Sequence, residues 1–285
     1  MKQKTGFPFS IVLSCQATRF EAATFQGDFE ANLSKVTDLG YNGVELAIRA
    51  PREMDYPSLY NLLAKFDLRV PAIGTGQAWG EEHLSFTDPD AEIREKAIER
   101  VIEHIPSASI LKAHIIIGLL RGKIQPGVER LQAEDWLVNA LRRCAKTAKK
   151  EGVTLCLEPI NHYETSLINT VDSGLDLIEK VGSENFGLLL DTFHMNIEEA
   201  NFTQSIRKAG KRIFHFHVAD SNRLHPGAGH INFQEILQAL FSIGYNGFIS
   251  GEFLPIPDAL TGAKQSIKLL TGIQKTILSE KGHAL

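Results

Sequence analysis

The sequence predicts an α/β fold in a single domain, a (β/α)8 TIM barrel over residues 1–285. Eight short apolar runs alternate with amphipathic stretches along the whole chain, the pattern of repeated strand and helix units around a parallel sheet. Most of these runs are apolar at consecutive positions, as strands covered on both faces must be. No Pro/Ser-rich linker, low-complexity tract or shift in composition divides the chain, and its length suits one barrel of about 250 residues or slightly more. An open doubly wound sheet is the alternative, but the first run lacks the G-x-G-x-x-G turn of a dinucleotide fold.

In chain order the expected strands are 9–15, 43–48, 70–75, 114–119, 154–159, 187–191, 213–219 and 248–253. Residues 1–16 faintly imitate an export signal, with Lys2 and Lys4 ahead of an apolar run. Pro8, Ser10, Ser14 and Cys15 interrupt that run, which reads better as a buried first strand. Helical spacing of apolar residues is clearest in 90–105, 133–150 and 258–278. Gly152, Gly182 and Gly244 stand just past helices, where a left-handed cap residue belongs. Two unit boundaries share wording: Gly40-Tyr41-Asn42-Gly43 and Gly244-Tyr245-Asn246-Gly247 each precede a strand, with Glu45 or Glu252 following.

A formal charge of -4 supplies no basic field for nucleic acid or an acidic membrane. No stretch reaches the roughly 20 apolar residues of a membrane span. The three cysteines, Cys15, Cys144 and Cys156, are too few and odd in number for a disulfide framework, so a reducing, cytoplasmic setting is expected.

Polar residues interrupt the apolar pattern at four successive strand ends. Run five ends in Glu158, run six in Asp191, run seven carries His215 and His217, and run eight ends in Glu252. The carboxyl ends of barrel strands are where chemistry is placed. Three carboxylates and an imidazole converging there would be prohibitively costly without a cation, so Glu158, Asp191, His217 and Glu252 are expected to hold one divalent metal ion. A set rich in oxygen with one nitrogen suits Mn2+, Mg2+ or Co2+ better than zinc and does not choose among the three; Mn2+ is the leading expectation. His215 shares the face of His217 a layer deeper, which gives it a supporting role.

With its surroundings each of these residues resembles a known group, the xylose-isomerase-like barrels that include the D-tagatose and D-psicose 3-epimerases. The resemblance covers nearly the whole chain. It rests on Leu157-Glu158-Pro159-Ile160-Asn161 with Glu164, Asp191-Thr192-Phe193-His194-Met195-Asn196, His217-Val218-Ala219-Asp220-Ser221-Asn222-Arg223, and Gly229-His230 before Gly251-Glu252. Within this superfamily the wording at 72–78, 193–199 and 215–223 is most similar to the 5-keto-L-gluconate epimerases of inositol catabolism. The resemblance implies that Glu158 and Glu252 double as acid/base residues, that Glu164, His194 and Arg223 bind substrate, and that the chain is a homo-oligomer, a dimer or tetramer. It implies a small keto sugar or keto-uronate as substrate, with 5-keto-L-gluconate as the leading expectation and a free ketose 3-epimerase, or another sugar (phosphate) isomerase, as the alternative.

Such a site would remove the proton beside a ketone, giving a cis-enediolate, and return it from the opposite face. Arg121, Lys123 and Arg49 are candidates to receive a distal carboxylate, and Trp79 and Phe253 to pack on the sugar. The glycine-rich 226–230 stretch could hold a phosphate but reads better as a loop carrying Arg223. Two remoter readings are an endonuclease IV-like nuclease, whose further histidines are missing here, and a non-catalytic sugar-binding barrel, against which the paired glutamates argue.

Overall fold

In the computed structural model, which describes residues 6–282, eight parallel strands close into a barrel in sequence order. The strands are β1 (Phe9–Ser14), β2 (Gly43–Ala47), β3 (Ala72–Gly74), β4 (His114–Ile117), β5 (Leu155–Leu157), β6 (Phe186–Asp191), β7 (Ile213–Val218) and β8 (Ile249–Gly251). Closure comes from β1 pairing with β8 in the register Ser10↔Ser250. Lys2 and Lys4 lie outside the described residues; from Phe9 onward the segment is the buried strand expected of it.

Side chains alternate across a strand, and here the two faces carry different chemistry. The outward set, including Ile11, Leu46, Ile73, Ile117, Leu157, Leu190 and Phe216, belongs to one continuous hydrophobic layer against the helices. The inward set is smaller and more polar: Ala72, Ile116, Cys156 and Leu189 form a separate plug with Phe214. Two residues further along β5 and β6 the same inward direction reaches Glu158 and Asp191. The outer layer therefore supplies most of the apolar burial, leaving the inner face free for charge.

Several strands are shorter than their apolar runs, most clearly β5 and β8, because the chain leaves the ladder at its carboxyl end to form the site. Glu158 and Glu252 nevertheless keep ladder-like bonds, their amides donating to Ile117 O (3.2 Å) and Val218 O (3.3 Å). The helix expected over 90–105 runs Ala91–Leu111 straight through Pro106 and ends on Lys112 at φ 55°. Proline removes one helical donor, but the following turn is held in part by Ser107, whose hydroxyl donates to His104 O at 2.9 Å. Helix Arg130–Lys150 contains the expected segment 133–150, and helix Ala259–Gly282 covers 258–278 except for its first residue. Both Gly-Tyr-Asn-Gly turns lead into strands, with Gly40 and Gly244 at positive φ.

Asn185, just before β6, donates from Nδ2 to Ala145 O (3.1 Å) and Val153 O (2.9 Å), tying helix 130–150 to the entry of β5. Asn185→Ala leaves two buried carbonyls without that donor and is expected to lower stability by about 1–3 kcal/mol. Urea unfolding measures this, and a loss within experimental error of zero would show that the tie does not hold the helix.

Candidate active site

The four strand-end residues meet. One ligand atom from each of Glu158, Asp191, His217 and Glu252 lies within 4.8 Å of the other three. From His217 Nδ1 the distances are 3.7 Å to Asp191 Oδ2, 3.7 Å to Glu252 Oε2 and 3.9 Å to Glu158 Oε1. These are too long for hydrogen bonds and close to the separation between ligands that share one small cation at about 2.1 Å. His217 Nδ1 and Glu158 Oε1 are buried and have no hydrogen-bond partner among the described residues. Two orphaned buried atoms among three carboxylates fit a divalent cation, so the residues present can hold one.

Asp191 is fixed by its other oxygen: Oδ1 caps helix Thr192–Glu198, accepting from the amides of Phe193 (2.6 Å) and His194 (3.3 Å). That leaves Oδ2 for the site. Burial, reinforced by Glu252, raises the Asp191 carboxyl to about 6 despite His217 nearby. Burial also holds Glu158 well above the usual carboxylate range, with Glu252 and Asp191 adding to it. Burial opposes charge on His217, but Glu45 and then Glu252 outweigh it and hold the imidazole well above its ordinary value. Without a cation, protons gather here as partial neutralisers of crowded negative charge.

His194 is held differently. Asn161 Oδ1 accepts from the Tyr163 amide (3.0 Å), which orients Asn161 Nδ2 toward Glu164 Oε1 (2.9 Å) and His194 Nδ1 (2.8 Å). Nδ1 of His194 is thus the acceptor, and Nε2 carries the proton, 3.7 Å from Glu158 Oε1. Burial, then Arg223, pushes this imidazole well below its ordinary value, so it is neutral. Arg223, at φ 60°, places its guanidinium 3.1 Å from Glu164 and 4.9 Å from the Phe193 ring centre. With Glu158, His217 and Glu252, these residues line a cavity of about 290 Å³ whose far wall includes Phe20, Thr75, Gln77 and Trp79.

Of the other candidate contacts, those of Arg121, Arg49, Lys123 and Phe253 are not made. Arg121 is fully buried and donates to the carbonyls of Gly118, Leu167, Ile168 and Glu158, so it supports loops and cannot receive a substrate carboxylate. Arg49 is paired with Glu81 (3.0 Å) and Glu82 (3.6 Å). Lys123 lies over the Trp79 ring at 5.9 Å and does not line the cavity. Phe253 is a core residue set edge-on to His225, while Trp79 does face the cavity. In the glycine-rich loop Asp220 accepts from the amides of Ser221 (2.8 Å), Gly227 (2.8 Å) and Ile231 (3.1 Å), a role a phosphate would otherwise fill. Glu45, which sequence reasoning noted only within a repeated turn, lies inside the barrel against His217 and His215, at 2.8 and 2.7 Å. A lone carboxylate in the apolar run Val44-Glu45-Leu46-Ala47 was the signal that could have found it.

A closed barrel with a buried carboxylate–imidazole centre at its carboxyl end is the arrangement of a barrel enzyme, whose chemistry sits at the carboxyl ends of its strands. The chain belongs to the xylose isomerase-like TIM barrel family, whose model matches residues 33–273. It is 34% identical over 235 residues to an L-ribulose 3-epimerase of Mesorhizobium japonicum, covering 82% of this chain and 78% of that protein. It is 33% identical to a D-psicose 3-epimerase of Enterocloster bolteae, covering 77% and 75%. A solved L-ribulose 3-epimerase superposes with a TM-score of 0.81 at 28% identity over 98% of this chain and 97% of that one. The protein is an isomerase or epimerase, as are these relatives, whose names refer to sugars.

The raised Asp191 carboxyl has a stability consequence. Its proton binds more tightly in the folded chain than in the unfolded one, so metal-free protein loses stability as pH rises from the ordinary value of 3.8 through about 6. Asp191→Asn does not titrate. In chelator-treated protein this variant is expected to gain on the wild type in melting temperature between pH 4 and pH 7; a constant difference across that range would sink the assignment.

Proposed function

We propose that the chain is a metal-dependent ketose 3-epimerase of free sugars of the D-psicose and L-ribulose type, the reading the sequence carried as its alternative. The observation that carries it is the convergence of Glu158 and Glu252, from the ends of β5 and β8, on one cavity also lined by His194, Glu164 and Arg223. The relatives named above act, by their names, on such ketoses. None of them is named for a keto-uronate, and two of the cations the sequence offered for a distal carboxylate, Arg121 and Arg49, are engaged within the protein. The leading sequence expectation, 5-keto-L-gluconate, therefore has less support than the ketoses.

A divalent cation at the four strand-end ligands, Mn2+ by preference and Mg2+ or Co2+ next, would neutralise the carboxylates and polarise the substrate ketone. The remaining work belongs to side chains of this protein. Glu158 and Glu252 exchange the C3 proton, one removing it and the other returning one from the opposite face, which inverts the centre. Burial makes Glu158 able to keep a proton well above the usual carboxylate range. Asp191, with one oxygen tied to two amides, is a fixed anchor rather than a carrier. Neutral His194 presents Nε2–H to a substrate oxygen, a donor that does not compete as an acid with the glutamates. Glu164 and Arg223 fix the sugar hydroxyls from the rim.

Incubation of D-psicose, L-ribulose and keto-uronates in deuterated water with Mn2+, followed by NMR, is expected to show deuterium entering C3 of the ketoses with inversion. Exchange into keto-uronates alone would restore the 5-keto-L-gluconate reading, and exchange into no sugar would leave a binding protein. Glu158→Gln and Glu252→Gln are each expected to lower exchange by about 10²–10⁴-fold, and full activity in either sinks the two-carboxylate scheme. Chelation is expected to abolish exchange and added Mn2+ to restore it; exchange that survives exhaustive chelation overturns the metal requirement.

A further inference from the structure

Glu45 is nearly inaccessible, on an inward-facing position of β2. Among the described residues no lysine or arginine is paired with it; its Oε2 instead meets two imidazoles, His217 Nε2 at 2.8 Å and His215 Nε2 at 2.7 Å. An isolated buried carboxylate is strongly disfavoured, so two charge-assisted hydrogen bonds from the same direction define what this residue can do. A carboxylate can only accept. Both imidazoles must therefore carry their proton on Nε2.

For His217 that choice decides which atom faces the cluster of carboxylates. With Nε2–H committed to Glu45, Nδ1 is the remaining ring nitrogen, and it stands 3.7–3.9 Å from Asp191, Glu252 and Glu158 without a hydrogen-bond partner of its own. The strand makes this arrangement robust: His215 and His217 alternate onto the same inward face of β7, and Asp191 sits beside His217 in the register Asp191↔His217. His215 closes the other side of Glu45, its ring 5.2 Å from that of His217 and edge-on to it at 80°. Glu45 is thus wedged between two rings that cannot both turn without losing their bonds.

We propose that Glu45 is a positioning residue that fixes His217 as the Nε2–H tautomer and so presents its Nδ1 lone pair to the cation, with His215 holding Glu45 in place. This inference rests on the proposed metal-dependent function. It adds a residue from β2, on the far side of the barrel from β5 and β6, to the group that sets cation affinity. Glu45→Gln keeps the size but removes the charge. If the amide nitrogen occupies the position of Oε2, it donates where the carboxylate accepted, which drives the His217 proton onto Nδ1; if the amide oxygen does, the bonds survive without charge assistance. Either way the carboxylate–histidine support is lost, and such partners set metal affinity by about 10–100-fold.

The test is Mn2+ affinity by competition with a chelating dye, on wild type and Glu45→Gln, alongside each protein's metal-free melting temperature. A 10–100-fold weaker Kd in a variant that still folds is expected, with His215→Gln showing a smaller loss because it removes only the outer of the two bonds. A Kd for Glu45→Gln equal to that of wild type overturns the inference while leaving the metal-dependent reading intact. Wild type that binds no cation overturns both. Should Glu45→Gln not fold, nitrogen-15 NMR of the histidines in Mg2+-loaded wild type decides: His217 protonated on Nε2 is expected, and a proton on Nδ1 overturns the inference.

Discussion

The structure depends on one electrostatic constraint: three carboxylates and an imidazole are brought within 4.8 Å of each other where water is largely excluded. Like charges in such a place are tolerable only if protons or a cation neutralise them. The upward displacement of Glu158 and Asp191 records burial first and that crowding second. Surrounding groups divide the labour of containing it. The first turn of helix Thr192–Glu198 takes one oxygen of Asp191, Glu45 takes the outer nitrogen of His217, and Arg121 braces the Glu158 carbonyl from behind. Each of these contacts uses an atom that faces away from the centre, so the atoms left over are the ones that could bind a ligand.

A barrel can carry such a centre because its strands separate two jobs by simple alternation. The outward positions of β1 to β8 build the continuous hydrophobic layer with the helices, while the inward positions hold two small apolar clusters and then charge. The destabilising charges thus sit in a part of the molecule that contributes little to the main core. The same geometry joins residues remote in sequence: Glu45 and His217 are 172 positions apart and hydrogen-bonded. Neither could be placed by local structure alone, and both follow from strand register and closure of the barrel.

That separation also explains what was legible in the sequence. Outward residues wrote the eight apolar runs, and Glu158, Asp191, His217 and Glu252 stood out because each breaks its run at the end where barrel chemistry is placed. Glu45 breaks its run too, but mid-strand, and only the closed barrel reveals that its partners lie on β7. Arg121 was misread for a complementary reason. An arginine in the loop after β4 is on the catalytic side of the barrel, yet the carbonyls at 118, 158, 167 and 168 needed a donor, and backbone demand of that kind leaves no sequence pattern. Helical spacing is legible only over 90–105, whereas the helix continues through Pro106 to Leu111 with a side-chain bond helping to hold the turn.

The substrate question turns on how the rim balances its charges. Arg223 could in principle draw an anion, but its guanidinium already faces Glu164 at 3.1 Å, and Glu164 in turn accepts from Asn161. A paired cation and anion offer donors and acceptors side by side with little net field, which matches the hydroxyl groups of a sugar better than a carboxylate or phosphate. The glycine-rich loop points the same way, since Asp220 already occupies amides that a phosphate would need. Arg19 lines the cavity edge without an ion pair among the described residues, yet it is exposed, and its attraction for a distal anion is correspondingly weakened by solvent. These pairings support the proposed reading of an uncharged sugar over an anionic one, with three carboxylates gathered where a cation would stand.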